Sequence, residues 1–415
     1  VKITVINHCS HNKGDNSVLF FLLKLIEKKF NCEVVVSISG ERPFWLDNNV
    51  ETVPWGRRGL FSNAKIFNLI SKFVIKFQNV VLLPLILKAL SNQLFTKAAK
   101  NLFTYIFNDD FKKAIETSDL IISTGGHHIS TVLDSGGMNQ QFLDMMYVNL
   151  RGKSMVLWSQ SVGPLSDVNK DFKVLFGRMI RDCKYVFARG ESSIEWVKQY
   201  SSFVGKSVFL VNDTVFSANH FINAKTDFSE EKYVVLCVYT ADNKSLDRNC
   251  EIYKSIIRKV IQKYGCRVKI IPMQYKGMSG DERAFIMNML KALPGAIVNQ
   301  VDVLVEDKNP VETLRIFSKS FCVVTHKTHP MIYGLTMKVP VISISYHEKF
   351  FEVMNDYGLQ DYIIEPDKYT ETDFDRLFSD IEKNRILLVD KITNKTDEIA
   401  QGVVDSFMGI ENSLL

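Results

Sequence analysis

Short β-branched runs alternate with amphipathic helical patterns along nearly the whole chain, and this alternation restricts the fold more than any other feature. Lys2–Asn7 and Glu33–Ile38 flank the helical pattern Val18–Lys29. Parallel neighbouring strands need a crossover long enough to hold a helix, so strand, helix, strand is the rhythm of a parallel sheet. Asp119–Ser123, Met155–Trp158 and Tyr185–Ala188 are predicted as further strands of the same sheet. From Tyr233 the rhythm begins again. Strands are predicted at Val234–Val238, Val268–Pro272, Phe321–Thr325 and Val339–Ser345, and helices at Asn249–Tyr264, Gly280–Lys291, Pro310–Ser318 and Pro330–Met337.

A chain of 415 residues exceeds one ordinary core and fits two domains. The expectation is an α/β protein of two doubly wound, Rossmann-like lobes facing a central cleft, a GT-B-like architecture. Strand signals lapse between Ser217 and Glu231, so the lobes are expected at 1–220 and 221–415. The C-terminal helix can return to the first lobe. The seven cysteines never fall in a CxxC spacing, which suggests neither a disulfide framework nor a zinc knuckle; buried thiols in a reducing compartment are expected. The apolar opening Val1–Ile6 lacks a basic segment before it, so a secretory signal is not expected and a cytoplasmic location is.

Charge is distributed unevenly. From Thr52 to Asn108 there is no Asp or Glu, whereas Arg57, Arg58, Lys65, Lys72, Lys76, Lys88, Lys97 and Lys100 are interleaved with phenylalanines. The longest apolar run here, Val80–Leu87, is broken by Pro84 and falls far short of the ~20 residues that span a bilayer. Such a basic amphipathic segment, 55–108, suits the anionic inner face of the plasma membrane as a peripheral anchor; packing on the first sheet would account for the same pattern. Nucleic-acid binding is not expected, since large apolar side chains interrupt the cations and no nucleic-acid motif is present.

Each polar cluster falls at the carboxyl end of a strand, where open α/β sheets bind ligands. Gly14, Asp15 and Asn16 lie in the first strand-to-helix turn, whose amides suit an anion or a sugar hydroxyl. Neither GxGxxG nor GxxxxGK[ST] occurs, which removes the dinucleotide and P-loop readings. Gly125, Gly126, His127 and His128 follow the Asp119–Ser123 strand. Adjacent histidines there point apart and no carboxylate sits at metal spacing, so no metal is expected. Lys327 and His329 sit at a strand-to-helix junction, where a cation and an imidazole can hold phosphate or carboxylate while presenting a proton. His326, Tyr346, His347 and Lys349 are near them in sequence.

The chain resembles the polysaccharide pyruvyl transferases over nearly its whole length. The resemblance is carried by Gly14-Asp15, by Asp119 through Gly125-Gly126, by Ser161-Val-Gly163-Pro164 and by Arg189 with Glu191-Ser192-Ser193. Asp213, Asp281-Glu282, His329 and the run from Pro340 to Tyr346 followed by Lys349 complete it. It implies a transferase that uses phosphoenolpyruvate as donor substrate, with no cofactor, to close a cyclic ketal on a sugar. His329 would be the general acid and Asp15 would contact or deprotonate an acceptor hydroxyl. Arg189, His326, Lys327, Tyr346 and Lys349 would bind the donor, and Gly14, Asn16, Gly125, Gly126, His127 and His128 would line the acceptor side. The acceptor expected is a polyprenyl-diphosphate-linked glycan. The family pattern has Arg-x-His where this chain has Lys327-Thr328-His329, so the bidentate fork of an arginine is lost there. Two other readings use the same architecture: a nucleotide-sugar glycosyltransferase and a noncatalytic glycan-assembly subunit.

Overall fold

A computed structural model describes residues 1–56, 81–93, 96–131, 139–166, 168–201, 207–222, 232–240, 245–275, 281–345 and 348–411. The chain divides into two compact units. The first holds residues 1–10, 25–212 and 406–415, and the second holds 11–24 and 213–405. Each unit therefore borrows one short segment from the other's stretch of sequence.

The sheet of the first unit is parallel. Its strands are β1 (Lys2–Cys9), β2 (Glu33–Ser39), β3 (Glu51–Pro54), β4 (Leu120–Ser123), β5 (Gly126–Ile129), β6 (Met155–Val162), β7 (Tyr185–Ala188) and β8 (Phe209–Leu210). They run in the order β3-β2-β1-β4-β6-β7-β8, with β5 beside the end of β6. The strand order reverses between β1 and β4, so the carboxyl ends of these two strands flank the switch point where such sheets take ligands. β4 and β6 are buried at every position, as expected for strands covered on both faces.

The second sheet is also parallel and doubly wound. β9 (Tyr233–Cys237), β10 (Arg267–Ile270), β11 (Val301–Val303), β12 (Cys322–Thr325), β13 (Val341–Ile344) and β14 (Ile363–Ile364) lie in the order β11-β10-β9-β12-β13-β14. Its switch point falls between β9 and β12. The helix Thr328–Thr336 starts three residues after β12 ends, so the segment 326–329 is delivered to that point by the topology.

Residues 57–80 of the basic segment lie outside the described residues. In the part that follows, the helices Leu83–Ser91 and Thr96–Tyr105 place Leu83, Ile86, Leu87, Leu90, Ala99 and Phe103 in the hydrophobic core of the first unit. Phe107, fully buried, is the centre of this packing, with ring centroids 4.5 Å from Tyr147, 5.2 Å from Phe103 and 5.7 Å from Phe111. Phe107→Ala is expected to destabilise the protein by about 3–5 kcal/mol, whereas Leu102→Ala, at a half-exposed position of the same segment, should cost under about 0.5 kcal/mol. Urea unfolding of the two variants checks this, and equal losses would contradict the packing described.

Candidate active site

In the second unit the turn that opens the helix Lys13–Lys29 is pinned to the loop after β10. Lys13 N–H donates to the Met273 carbonyl at 3.0 Å, and Asn12 forms a bridge with Gln274. Asn12 Oδ1 accepts from Gly14 N–H at 2.7 Å. The Tyr333 hydroxyl, on the helix Thr328–Thr336, donates to the Lys13 carbonyl at 2.9 Å and lies 2.6 Å from Ser17 Oγ. Burial, with the Asp213 and Asp15 carboxylates behind it, holds that phenol above its usual range against the Ser17 hydrogen bond. It is protonated at any working pH and serves as a fixed strut.

These contacts place Gly14 under His329. A Cβ at Gly14 would stand 2.1 Å from His329 Nδ1, so the imidazole lies on the glycine in space that no side chain could share. On its other side His329 Nε2 faces Asp213 Oδ2 at 3.7 Å, a charge-pair distance too long for a hydrogen bond. Asp213 is 1% exposed and uses its other oxygen, Oδ1, to accept from Val215 N–H at 2.9 Å, capping the short helix Thr214–His220. The cap fixes the carboxylate opposite the imidazole. Asp15, half-buried, and Asn16, buried, occupy the first turn of the helix beneath.

Lys327 is engaged from behind. Its ammonium pairs with Glu282, whose side chain is wholly buried, and donates to Gln274 Oε1 at 3.2 Å. Glu282 Oε2 also accepts from Met273 N–H at 2.7 Å and Gln274 N–H at 3.3 Å. The charge that the sequence offered to a donor anion is thus committed to compensating a buried carboxylate. His326 is committed as well. Tyr253 Oη accepts from Tyr239 N–H at 2.9 Å and lies 2.8 Å from His326 Nδ1. Among the described residues the ring nitrogen is the acceptor available to the phenol proton, which assigns Nδ1 as acceptor and the hydrogen to Nε2. Burial, then the charges of Arg248 and Lys327, lower the His326 pKa to about 4. His326 is therefore a neutral donor near neutrality and brings no cation to an anion. Lys349 is half-buried in the first turn of the helix Glu348–Asp356; Tyr346 and His347 lie outside the described residues.

In the first unit a second polar group gathers at the carboxyl ends of β4 to β7. Gly125 and Gly126 continue from β4, and the latter begins β5. A Cβ on Gly126 would meet His128 Nε2 at 2.2 Å. Burial, then the charges of Arg189 and His127, lower the His128 pKa to about 3, leaving it neutral. His127 Nε2 bonds to the Gly163 carbonyl and must carry the hydrogen there. Arg189 Nε donates to Ser161 Oγ at 3.0 Å. Two non-glycine residues of this sheet, Asn7 in β1 (φ 72°) and Ser159 in β6 (φ 50°), hold left-handed backbone, a local strain that concentrates at functional sites. Among the described residues no group of three or more His, Cys, Asp or Glu could hold a metal ion.

Two parallel doubly wound sheets with polar groups at their switch points define a GT-B-like α/β protein. The chain belongs to the polysaccharide pyruvyl transferase family, whose model matches residues 12–348. Solved structures share the fold at low identity. S. aureus MnaA, solved with UDP, is 10% identical over 98% of this chain and 94% of its own, with a TM-score of 0.59. The UDP-GlcNAc 2-epimerase of Neisseria meningitidis, bound to UDP-GlcNAc, is 12% identical over 98% and 100%, with a TM-score of 0.55. That of Methanocaldococcus jannaschii is 12% identical over 91% and 92%, with a TM-score of 0.54. No curated protein matches the sequence significantly.

Two measurements follow from this geometry. Glu282→Ala strands a buried ammonium and two backbone donors and should cost about 3–5 kcal/mol in urea unfolding, with Glu282→Gln, which keeps an acceptor, costing less; losses within error of zero would contradict the buried pair. For His326 the folded pKa lies near 4, below its ordinary 6.5. Between those values the unfolded chain holds a proton that the folded chain does not, so this group's share of stability falls as the pH drops from about 6.5 to about 4. The slope is at most about 1.4 kcal/mol per pH unit. His326→Gln should flatten the stability profile between pH 6.5 and pH 5, and an unchanged profile would argue against a neutral buried imidazole.

Proposed function

We propose that this protein moves the pyruvyl group of phosphoenolpyruvate onto two hydroxyls of one sugar in a surface or capsular polysaccharide precursor. The observation that carries the reading is His329, held between the Asp213 carboxylate and the bare Cα of Gly14 at the start of a helix, in a member of the polysaccharide pyruvyl transferase family. His329 delivers a proton to the methylene carbon of phosphoenolpyruvate. With Nε2 turned to Asp213, the nitrogen beside Gly14 is the one assigned to this transfer. C2 then carries oxocarbenium character, and one sugar hydroxyl adds there and loses its proton. Cleavage of the C2–O bond releases phosphate, which takes up the proton of one hydroxyl, while the proton of the other restores His329. The second hydroxyl adds to C2, loses its proton and closes the ketal.

Asp213 is proposed to orient the imidazole for the transfer. The first-turn amides of the helix Thr328–Thr336 favour the anionic donor. Lys327, already paired with Glu282, is assigned to positioning the turn, a revision of its expected place on the donor. Lys349 and Tyr346 remain proposed donor contacts, and in the first unit Arg189, oriented by Ser161, is proposed as an anion-binding group. Asp15 is proposed to take an acceptor proton, and the acceptor is proposed to be a glycan on a polyprenyl diphosphate carrier.

Calorimetric titration with phosphoenolpyruvate and, separately, with UDP-GlcNAc tests the donor. Saturable binding of phosphoenolpyruvate is expected, retained within a few-fold in Asp213→Asn. Turnover in His329→Gln should fall by about 10²–10⁴-fold, and that in Asp213→Asn should fall with a shifted pH profile. Binding of the nucleotide sugar in place of phosphoenolpyruvate would overturn the reading, since the shared fold does not decide the chemistry.

A further inference from the structure

The stretch 52–108 carries eight Lys and Arg residues and no acid, and acids resume only at Asp109 and Asp110. Its two described helices are committed on one side to the core of the first unit. Their other side is left open. Val81 is 40% exposed, Leu85 59%, Leu102 49% and Tyr105 58%. Val81, Leu85 and Lys88 follow one another at helical spacing along one outward face, and Ala98, Leu102 and Tyr105 along another, with exposed Lys97 and Lys100 beside them. Neither helix has an acidic residue in its first turn. Past the first helix the charge is mixed: Arg178 donates to the Leu90 and Ser91 carbonyls at 2.8 and 2.9 Å, while Asp171 accepts from Ser91 Oγ and Asp182 pairs with Arg181. With Lys173 and Arg181, Arg178 lines a groove of about 430 Å³.

Exposed large apolar side chains beside lysines, on two helices that hold no acid of their own, fit one partner better than others. A soluble polyanion would have no use for Leu85, Leu102 and Tyr105, and a soluble protein face ordinarily mixes charges. We propose that the helices Leu83–Ser91 and Thr96–Tyr105 dock on a bilayer surface rich in anionic phospholipid. The apolar side chains enter the headgroup layer and the lysines meet the lipid phosphates. Docking is peripheral, because no described helix is long and apolar enough to cross a membrane. This property goes beyond the reaction and does not depend on the donor's identity.

The test is sedimentation of the full chain with vesicles of phosphatidylcholine alone and of equal parts phosphatidylcholine and phosphatidylglycerol, without substrate. Binding to the anionic vesicles is expected to be at least tenfold stronger and to weaken with added salt. Lys88→Glu/Lys97→Glu/Lys100→Glu should weaken it by about tenfold or more, and so should Leu85→Ser/Leu102→Ser/Tyr105→Ser. Thermal melts of both variants report whether the fold is retained. Equal binding to both vesicles, or none, would overturn the proposal. So would anionic binding that survives the apolar substitutions and is displaced by soluble polyphosphate, which would assign the face to a soluble polyanion.

Discussion

A buried carboxylate organises the second unit. Removing a charge from water costs several kcal/mol unless it is paired and hydrogen-bonded, and Glu282 meets that demand by drawing three things to itself. It accepts from the backbone of Met273 and Gln274 and pairs with Lys327. Met273 and Gln274 in turn hold Asn12 and Lys13. The turn that carries Gly14 and the turn that carries His329 are thereby referenced to the same side chain.

That reference explains why the imidazole can lie where it does. Placement on Gly14 leaves no tolerance for a Cβ, and a ring packed that closely needs both supporting turns fixed. Asp213 completes the arrangement from a third element, its carboxylate immobilised by its role as a helix cap. A lysine at position 327 suits this division of labour. A compact ammonium suffices to compensate a buried carboxylate, and a bidentate fork is unnecessary when the partner is a carboxylate already held by two amides.

Much of the architecture was legible in the sequence because parallel strands buried on both faces read as short β-branched runs. β1, β4, β7, β9, β12 and β13 were visible in this way. β3, which ends in a proline, and the two-residue β8, with Phe209 and Leu210 exposed, carry no such signal. β5 begins at Gly126 and contains two histidines, a composition that reads as a turn. Gly14 and His329 could each be singled out from position, but nothing in spacing says that residues so far apart touch. Glu282, beside Asp281 at a helix start, reads as a capping acid, and its burial follows only from the tertiary path of residues 273, 274 and 327. The exposed apolar stripe of the basic segment was half legible: the charge pattern is in the sequence, while the faces turned to the core and away from it are not.

In the proposed reaction His329, held between Asp213 and Gly14, protonates phosphoenolpyruvate so that a sugar can capture its C2 carbon. The direct measurement is incubation of lipid-extracted glycan precursors with phosphoenolpyruvate and the protein, following phosphate release and product mass together. Acceptor-dependent phosphate release is expected, matched by a glycan heavier by one pyruvate less one water, with both signals lost in His329→Gln. Phosphate release with no change in glycan mass, or the same product at undiminished rate from His329→Gln, would contradict it.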